Sequence, residues 1–330
     1  DGTSFSAGIS AIPVLAASRA ELYAQADAAL HEAKRAGRTL VVVHAPAEAA
    51  AAPRHVDGGA LAEVIARRQL LGVYQPIIEL ATLRVIGVEG LVRPQPPAPY
   101  ANPGELFAAA EADGRTLLLD LACIDLLVAG ATRLPPDQFL SVNLTPQTVE
   151  ADEFGVGSLL SILRRHAFPA DRLVIELTER AEINDMSRVR VKLEACRRAG
   201  IRLAIDDLGA GNAGLRLLSE LPFDVLKVDL NLVQRSTPGA LASAIVGSVV
   251  DLARRTGALV IAEGVEEERQ LAELASLSVQ AGQGFWLGRP GPLSSSAPVP
   301  VGPRVPQISD STPMSAWREA IGLSSGTLSA

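Results

Sequence analysis

The chain has 330 residues, of which 48% are hydrophobic and 20% are charged. At roughly 150 residues per domain, this length allows about two domains, and the composition excludes a largely disordered chain. The 30 Lys and Arg against 37 Asp and Glu give a formal net charge of −7. This balance argues against binding to a nucleic-acid polymer, because such binding requires many phosphates to be neutralised.

The cysteines and the lengths of the apolar runs indicate the cellular compartment of the chain. Cys123 and Cys196 lie in helical patterns and predict buried thiols in a reducing, cytoplasmic compartment. No run approaches the ~18 consecutive apolar residues that a membrane helix needs, so we expect no membrane segment in this chain. The first residue is Asp1, and we expect the chain to be part of a longer protein. Membrane anchoring through the upstream part of that protein stays an alternative.

The first part of the chain, residues 1–44, predicts a short α/β segment. Residues 3–10 and 39–44 have strand-like patterns, and apolar spacing predicts a helix at residues 18–38. About 44 residues are too few to bury an independent core, so this segment is expected to pack against another part of the protein. An Ala/Pro-rich linker follows at residues 45–57.

From residue 58 to residue 292, short apolar strands alternate with amphipathic helices. The strand candidates are residues 84–93, 139–145, 173–178, 202–207, 225–230, 259–264 and 284–287. This alternation predicts an α/β fold with a parallel sheet, and seven or eight such strands predict a (β/α)8-like barrel. Residues 293–330 are rich in Pro and Ser and predict a flexible tail.

Polar side chains recur at the ends of the predicted strands. They are Glu89, Asn143, Glu176, Asp206, Asp207, Lys227, Asp229 and Glu263. In a barrel these ends converge on one mouth, where active sites are built. Clustered carboxylates repel one another, by about 4 kcal/mol for two unit charges ~4 Å apart at an effective dielectric of about 20. Oxygen ligands with one amide suit Mg²⁺, Mn²⁺ or Ca²⁺ rather than zinc, and such ions would offset the repulsion.

The spacing within two of these strands predicts the chemistry. The adjacent pair Asp206 and Asp207 suggests a carboxylate shared between two ions, and two ions about 3.5–4 Å apart commonly promote hydrolysis of a phosphate ester. Lys227 and Asp229 lie on one face of their strand, where an ammonium can hold a phosphate oxygen or the attacking water. Metal-assisted phosphoester hydrolysis therefore explains the pattern better than a coincidental polar rim.

The motifs of residues 60–292 resemble, in order, those of the EAL family of cyclic-di-GMP phosphodiesterases. They are Tyr74-Gln75-Pro76-Ile77, Val88-Glu89-Gly90-Leu91-Val92-Arg93, Val142-Asn143-Leu144-Thr145-Pro146, Glu176-Leu177-Thr178-Glu179, Asp206-Asp207-Leu208-Gly209, Lys227-Val228-Asp229, Ala262-Glu263-Gly264-Val265-Glu266 and Gln283-Gly284. The resemblance implies an EAL-type barrel that opens cyclic-di-GMP to linear pGpG with two Mg²⁺ or Mn²⁺ ions per site. The resemblance is also compatible with a homodimer.

The resemblance implies a role for each matching residue. The metal ligands or metal-linked acids would be Glu89, Asn143, Glu176, Asp206, Asp207 and Glu263. The catalytic residues would be Asp207, Lys227 and Glu263, with Lys227 orienting water or phosphate. Substrate would contact Gln75, Arg93, Asp229 and Gln283. Glu266 would brace the loop after Asp207.

The first segment resembles the last part of a GGDEF diguanylate cyclase domain, through residues 4–9 and 26–38. In that family the positions of Lys34 and Arg38 face GTP phosphates, although cations in the last turn of a helix also favour its dipole. The signature loop of the cyclase would lie upstream of Asp1. We therefore expect no synthesis of cyclic-di-GMP by this chain.

The loop after Asp207 departs from the family pattern and keeps two alternatives open. Where the family shows Phe-Gly-Thr-Gly-Tyr-Ser-Ser, this chain has Leu-Gly-Ala-Gly-Asn-Ala-Gly at residues 208–214. The missing aromatic and hydroxyl groups would hold the loop near the metals, so one alternative is a catalytically weak cyclic-di-GMP sensor. Residues 209–214 also fit G-x-G-x-x-G, with Asp229 about 20 residues on, which is typical of a nicotinamide-dependent oxidoreductase. Asp206 and Asp207 would repel a bare pyrophosphate there.

Overall fold

The computed structural model describes residues 7–9, 41–43, 58–67, 69–178, 183–208, 214–229 and 241–293. The chain divides into two units, residues 1–57 and 58–330. In the first unit, β1 (Ala7–Ile9) pairs in parallel with β2 (Val41–Val43), at two of the predicted strand positions. The helix predicted at residues 18–38, the linker at 45–57 and the tail beyond residue 293 lie outside the described residues.

Eight strands among the described residues of the second unit close into a barrel in the order β10-β3-β4-β5-β6-β7-β8-β9. The strands are β3 (Leu70–Glu79), β4 (Arg84–Pro94), β5 (Phe139–Asn143), β6 (Leu173–Thr178), β7 (Arg202–Leu208), β8 (Val225–Asp229), β9 (Leu259–Glu263) and β10 (Ala281–Gly282). The helices are α1 (Gly58–Ala66), α2 (Pro103–Ala112), α3 (Thr116–Ala131), α4 (Pro146–Glu150), α5 (Val156–Arg165), α6 (Met186–Arg198), α7 (Gly214–Glu220), α8 (Leu241–Thr256) and α9 (Arg269–Ser276). The predicted (β/α)8-like barrel is confirmed.

One strand runs against the others, so the prediction of a purely parallel sheet was wrong. β3 is antiparallel to both β4 and β10, whereas the remaining neighbours in the barrel are parallel. It forms a hairpin with β4 in which Gln75 lies opposite Glu89. β3 was absent from the strand candidates because Gly72 and Pro76, two residues that strands disfavour, interrupt its apolar run.

The last strand candidate, residues 284–287, was also wrong. β10 ends at Gly282, and residues 284–287 form a turn. The turn forms because the chain folds back onto Val265, whose N–H donates to Gln283 O at 3.0 Å while its carbonyl accepts from Trp286 N at 3.0 Å. Gly284 approaches so closely that a Cβ there would lie 2.2 Å from Val265 N, so only glycine fits.

The closed barrel removes the structural basis of the nicotinamide alternative. A dinucleotide-binding sheet is open and binds its ligand in a crevice where the strand order reverses. Here β7, which precedes the glycine-rich loop, is hydrogen-bonded on both sides, to β6 and to β8. The glycines therefore follow a strand in the wall of a closed barrel.

The interior of the barrel is filled by apolar side chains from every strand. The central cluster comprises Ile77, Ile86, Phe139, Val174, Ala204, Val225, Leu259, Ile261 and Ala281. Aromatic residues are few, and Phe139 is the largest fully buried side chain. It fits because the strand beside it carries Gly87, where a Cβ would lie 2.7 Å from the Phe139 ring. No helix in the described part of the chain has both the length and the apolar character for crossing a membrane.

We expect Gly87→Ala to destabilise the protein by about 1–3 kcal/mol, because the added methyl group overpacks the Phe139 ring. The free energy of unfolding from urea titration measures the effect. Gly157→Ala is the matched control, since nothing lies within 4 Å of a Cβ at this exposed position in α5. It should be neutral or stabilising by up to about 1 kcal/mol. Equal stabilities for the two variants would contradict the packing argument.

Candidate active site

One buried ammonium stands among four carboxylates at the mouth of the barrel. Lys227 Nζ lies 2.8 Å from Glu176 Oε2 and 2.9 Å from Glu263 Oε1. It lies 3.0 Å from Asp206 Oδ1 and 3.5 Å from Glu89 Oε2. The Lys227 side chain is only 1% exposed. One ammonium balances the charge of one carboxylate, so the cluster is strongly anionic whenever all four acids are ionised.

The strand register brings these acids together. Glu176 of β6 lies opposite Asn143 of β5, and Glu263 of β9 lies opposite Asp229 of β8. Neighbouring parallel strands end at the same face of a barrel, so residues far apart in sequence meet there. Four of the predicted ligands, on four different strands, surround the Lys227 ammonium.

Glu89 occupies a different place in its strand from the one predicted. It was expected at the strand end, but β4 continues to Pro94 because its hairpin with β3 extends to the pair Leu70–Pro94. The next residue, Gly90, stands where the family usually has alanine. A Cβ there would lie 3.1 Å from the methyl groups of Leu127, which fill that space here.

Burial and charge shift the pKa values of the cluster in opposite directions. Burial raises the pKa of Glu176 to about 8, and the nearby Glu89 and Asp206 carboxylates add to the effect against the pull of Lys227. Burial also raises the pKa of Glu263 well above its ordinary value. For Asp206, burial is outweighed by the Lys227 ammonium and by a hydrogen bond with Glu263, so its pKa is lowered. Burial and charge thus favour the protonated form of Glu263 and the ionised form of Asp206.

The ammonium itself remains protonated. Burial alone would lower the pKa of Lys227, but the four carboxylates outweigh it and raise that pKa well above the ordinary value. Its three N–H bonds are directed among acceptors, and Glu176 Oε2 accepts one of them at 2.8 Å. Lys227 is thus a fixed positive charge and not a proton acceptor.

The side-chain amides of Asn143 and Gln283 hold Glu89. Glu89 Oε1 accepts from Asn143 Nδ2 at 3.0 Å, and Oε2 accepts from Gln283 Nε2 at 2.6 Å. Gln283 Nε2 also lies 3.1 Å from Gln75 Oε1, while Gln75 Nε2 donates to Gly288 O at 3.0 Å. Among the described residues, buried Gln283 Oε1 has no hydrogen-bond partner. A buried oxygen without a donor indicates a ligand that supplies positive charge or an N–H.

A bulge sets the adjacent carboxylates Asp206 and Asp207. The pairing of β7 with β8 shifts register between Ile205 and Leu208, so one extra residue lies on β7. Asp207 takes the left-handed conformation with a φ of 59°, which aspartate tolerates better than most residues. Its backbone N–H donates to the Asp206 carboxylate. The bulge breaks the strict alternation of the strand, as bulges near active sites commonly do.

Three further predicted residues lie on or just after strands of the barrel, and their roles are still predictions. Arg93 is half-buried on β4 beyond Glu89, and its Nη1 donates to Val92 O at 2.9 Å. Asp229 is half-buried at the end of β8. Glu266 is exposed after β9, and the loop it was predicted to brace, residues 209–213, lies outside the described residues.

Sequence reasoning missed Ser141. This buried serine lies in β5, and its hydroxyl donates to Glu176 Oε1 at 2.5 Å. The other oxygen of the same carboxylate, Glu176 Oε2, accepts from Lys227. The signal was present, because Ser141 is polar in an apolar strand and lies two residues before Asn143, hence on the same face.

The donors of the site fit a hard divalent cation by their chemistry. All are carboxylate or amide oxygens, and Asp206 Oδ1 is buried near Lys227 without a well-formed hydrogen bond among the described residues. In that part of the chain, no three His, Cys, Asp or Glu side chains are already arranged around one ion position. The acids converge on Lys227 instead.

The family is decided by the match along the barrel. The model of the EAL domain matches residues 59–290. The chain belongs to the EAL domain family. This match spans every strand of the barrel and every acid around Lys227.

Several relatives of this EAL chain have curated names. It is 33% identical over 299 residues to the bifunctional diguanylate cyclase/cyclic di-GMP phosphodiesterase MucR of Pseudomonas aeruginosa, covering 88% of this chain and 43% of that protein. It is 29% identical over 243 residues to the probable cyclic di-GMP phosphodiesterase PdeN of Escherichia coli, covering 72% of this chain and 46% of that protein. The chain thus spans less than half the length of these relatives.

Solved EAL structures share the fold. The phosphodiesterase of MucR in complex with c-di-GMP is 31% identical with a TM-score of 0.63, covering 71% of this chain and 96% of that one. Klebsiella pneumoniae BlrP1 in a manganese/c-di-GMP complex is 35% identical with a TM-score of 0.61, covering 73% of this chain and 58% of that one. A calcium/c-di-GMP complex of BlrP1 is 34% identical with a TM-score of 0.60, covering 71% of this chain and 63% of that one.

We expect the metal-free protein to lose stability as the pH rises. The folded pKa of Glu176 is about 8, above its ordinary value of 4.5. Between these values the folded state holds a proton that the unfolded state has released, so stability present below about pH 4.5 is lost as the pH rises through about 8. Glu263 acts in the same direction. Calorimetry in excess chelator should show a lower Tm at about pH 8.5 than at about pH 5.5.

Glu176→Gln supplies the control for this experiment, because an amide does not titrate. Its Tm should depend less on pH than that of the parent. A metal-free parent whose Tm rises over the same interval would show that the acids are not held as described.

Proposed function

We propose that this EAL chain hydrolyses cyclic-di-GMP to linear pGpG with divalent cations, Mg²⁺ or Mn²⁺, two per site, in bacterial second-messenger signalling. The observation that carries the proposal is the anionic cluster around Lys227 at the mouth of the barrel. The names of MucR and PdeN, and the c-di-GMP complexes of MucR and BlrP1, support it.

The ions would be held by oxygen ligands from five strands. These ligands are Glu89, Asn143, Glu176, Asp206, Asp207 and Glu263. When bound, divalent ions lower the pKa of bound water and withdraw charge from a phosphoryl group. The acids would bind the ions, and the β7 bulge places two carboxylate residues next to each other in this site.

The side chains around the ions would bind and orient the substrate. Lys227, fixed as a cation, would hold a phosphate oxygen or the water that attacks phosphorus. Arg93 would meet a substrate phosphate, and Gln75, Asp229 and Gln283 would line the rest of the site. Hydrolysis adds one water across one P–O ester bond, which leaves a terminal phosphate and a free hydroxyl group. Glu263 would act there as an acid linked to the ions.

The proposal also covers the domain boundaries, the cellular location and the oligomeric state. Residues 1–44 would be the end of a GGDEF domain, since the similarity to MucR runs over 299 residues and so extends beyond the EAL match. Residues 45–57 would then be the linker and residues 58–292 the phosphodiesterase domain. The buried free thiols of Cys123 and Cys196 support a reducing, cytoplasmic location. A homodimer would be recognised by light scattering of the purified chain.

We expect purified protein to convert cyclic-di-GMP to pGpG only with Mg²⁺ or Mn²⁺ present. Asp206→Asn and Glu263→Gln should each lower kcat at least ~100-fold, since each removes one oxygen donor and one charge from the ion site. Liquid chromatography of the products measures turnover, and circular dichroism checks the fold. Asp125→Asn is the control, because Asp125 pairs with Arg165 and His166 on the outer helices. Undiminished turnover in excess chelator would contradict the metal mechanism.

The sensor alternative is tested through the loop after Asp207. The variant carries Asn212→Tyr, Ala213→Ser and Gly214→Ser, and Leu208 is kept because it is 5% exposed within β7. If the loop limits turnover, kcat should rise about tenfold, or about 1.4 kcal/mol in the barrier, while the Kd for cyclic-di-GMP stays within about twofold. A parent and a variant that both bind the dinucleotide, and neither of which cleaves it, would establish the sensor.

A further inference from the structure

Asp120 is a buried carboxylate that no part of the ion cluster explains. It lies on α3, is 1% exposed, and its pKa is raised because burial outweighs the hydrogen bonds that it accepts. A carboxylate taken out of water costs several kcal/mol unless hydrogen bonds compensate it. Its partners therefore show what the residue holds in place.

Two hydrogen bonds join Asp120 to Thr145, directly after β5, and the Thr148 side chain also lies close enough to lower the pKa of Asp120. Asp120 Oδ2 accepts from Thr145 N at 3.1 Å and from Thr145 Oγ1 at 2.6 Å. The same hydroxyl oxygen accepts from Thr148 N at 3.3 Å and so caps α4. Because its single proton goes to Asp120, the Thr145 hydroxyl has one orientation, and the chain leaving β5 has one path.

This path decides where Asn143 points. Asn143 is the last residue of β5 and is exposed, so packing does not hold its side chain. Its Nδ2 lies 3.0 Å from Glu89 Oε1, which turns the amide oxygen elsewhere. Leu144 is anchored through its N–H to Glu176 O at 3.0 Å, and Thr145 is anchored by Asp120. The backbone that follows Asn143 is therefore held at two consecutive residues.

We propose that Asp120 is a positioning residue of the ion site. Acting through Thr145, it fixes the backbone that aims the Asn143 amide, with the nitrogen on Glu89 and the oxygen available to a divalent cation. The inference rests on the proposed function for the ion that Asn143 binds. The competing explanation is a purely structural tie between α3 and the end of β5.

The test measures Mn²⁺ binding by calorimetry without substrate, beside the Tm of each variant. Asp120→Ala removes the acceptor, and Thr145→Val removes only the hydroxyl from a half-buried residue and serves where the first variant unfolds. We expect each to raise the Kd for Mn²⁺ about tenfold, as the loss of an outer partner of a metal ligand commonly does. The double variant should be no weaker than the weaker single variant, since both act through one contact.

Conservative variants and a surface control separate positioning from stability. Asp120→Asn retains an oxygen that can accept both bonds, and Thr145→Ser retains the hydroxyl, so each should keep the parent Kd within about threefold. Asp125→Ala, on the same helix but half-buried and paired with Arg165, should bind Mn²⁺ like the parent. Hydrolysis by Thr145→Val should recover at saturating Mn²⁺.

Two results would overturn the inference. One is a lowered Tm with an unchanged Kd for Mn²⁺ in Asp120→Ala and Thr145→Val, which assigns the contact to structure alone. The other is a parent that binds no Mn²⁺. A parent that binds Mn²⁺ without cleaving cyclic-di-GMP contradicts the proposed function only, and the variants still decide the role of Asp120.

Discussion

The structure depends on the attraction between one buried ammonium and the four acids that surround it. Lys227 is fully buried, and without it Glu89, Glu176, Asp206 and Glu263 would face one another in a medium that screens charge poorly. With it, the acids are still in excess, and burial together with that excess raises the pKa values of Glu176 and Glu263. Divalent cations would take the place of protons on these acids, as metals do when they bind ionisable ligands.

The rest of the barrel serves to hold that excess of negative charge in place. The apolar interior around Phe139 fixes the strands from within, and the antiparallel β3 brings Gln75 opposite Glu89. Beyond β10, the turn closes on Val265 and fixes Gln283 against Glu89. Each of these contacts restrains an acid or an amide from one side. Repulsion within the cluster is therefore resisted by backbone hydrogen bonds and packing.

The sequence predictions succeeded for features set by neighbouring residues and failed for features set by contacts between residues far apart in the sequence. Strands such as β6, whose apolar run ends in Glu176, were predicted because both signals lie within a few residues. The aromatic run at residues 284–287 resembled a strand, but a contact with Val265 turned it into a loop. β3 was missed because Gly72 and Pro76 mask its pattern. The tie between Asp120 and Thr145 joins positions 25 apart, and no local pattern shows it.

The sequence by itself determined the barrel and the donor chemistry of its mouth, because strands β5 to β9 each carry their own apolar run with a polar residue at or near its end. It also determined the family, since the motifs follow one another in order. Only the tertiary structure decided that Lys227 stands at the centre, that the pKa of Asp206 is lowered while that of Glu263 is raised, and that Gln283 holds Glu89. Those features depend on barrel closure and strand register, which bring together residues as far apart as the 194 positions between Glu89 and Gln283.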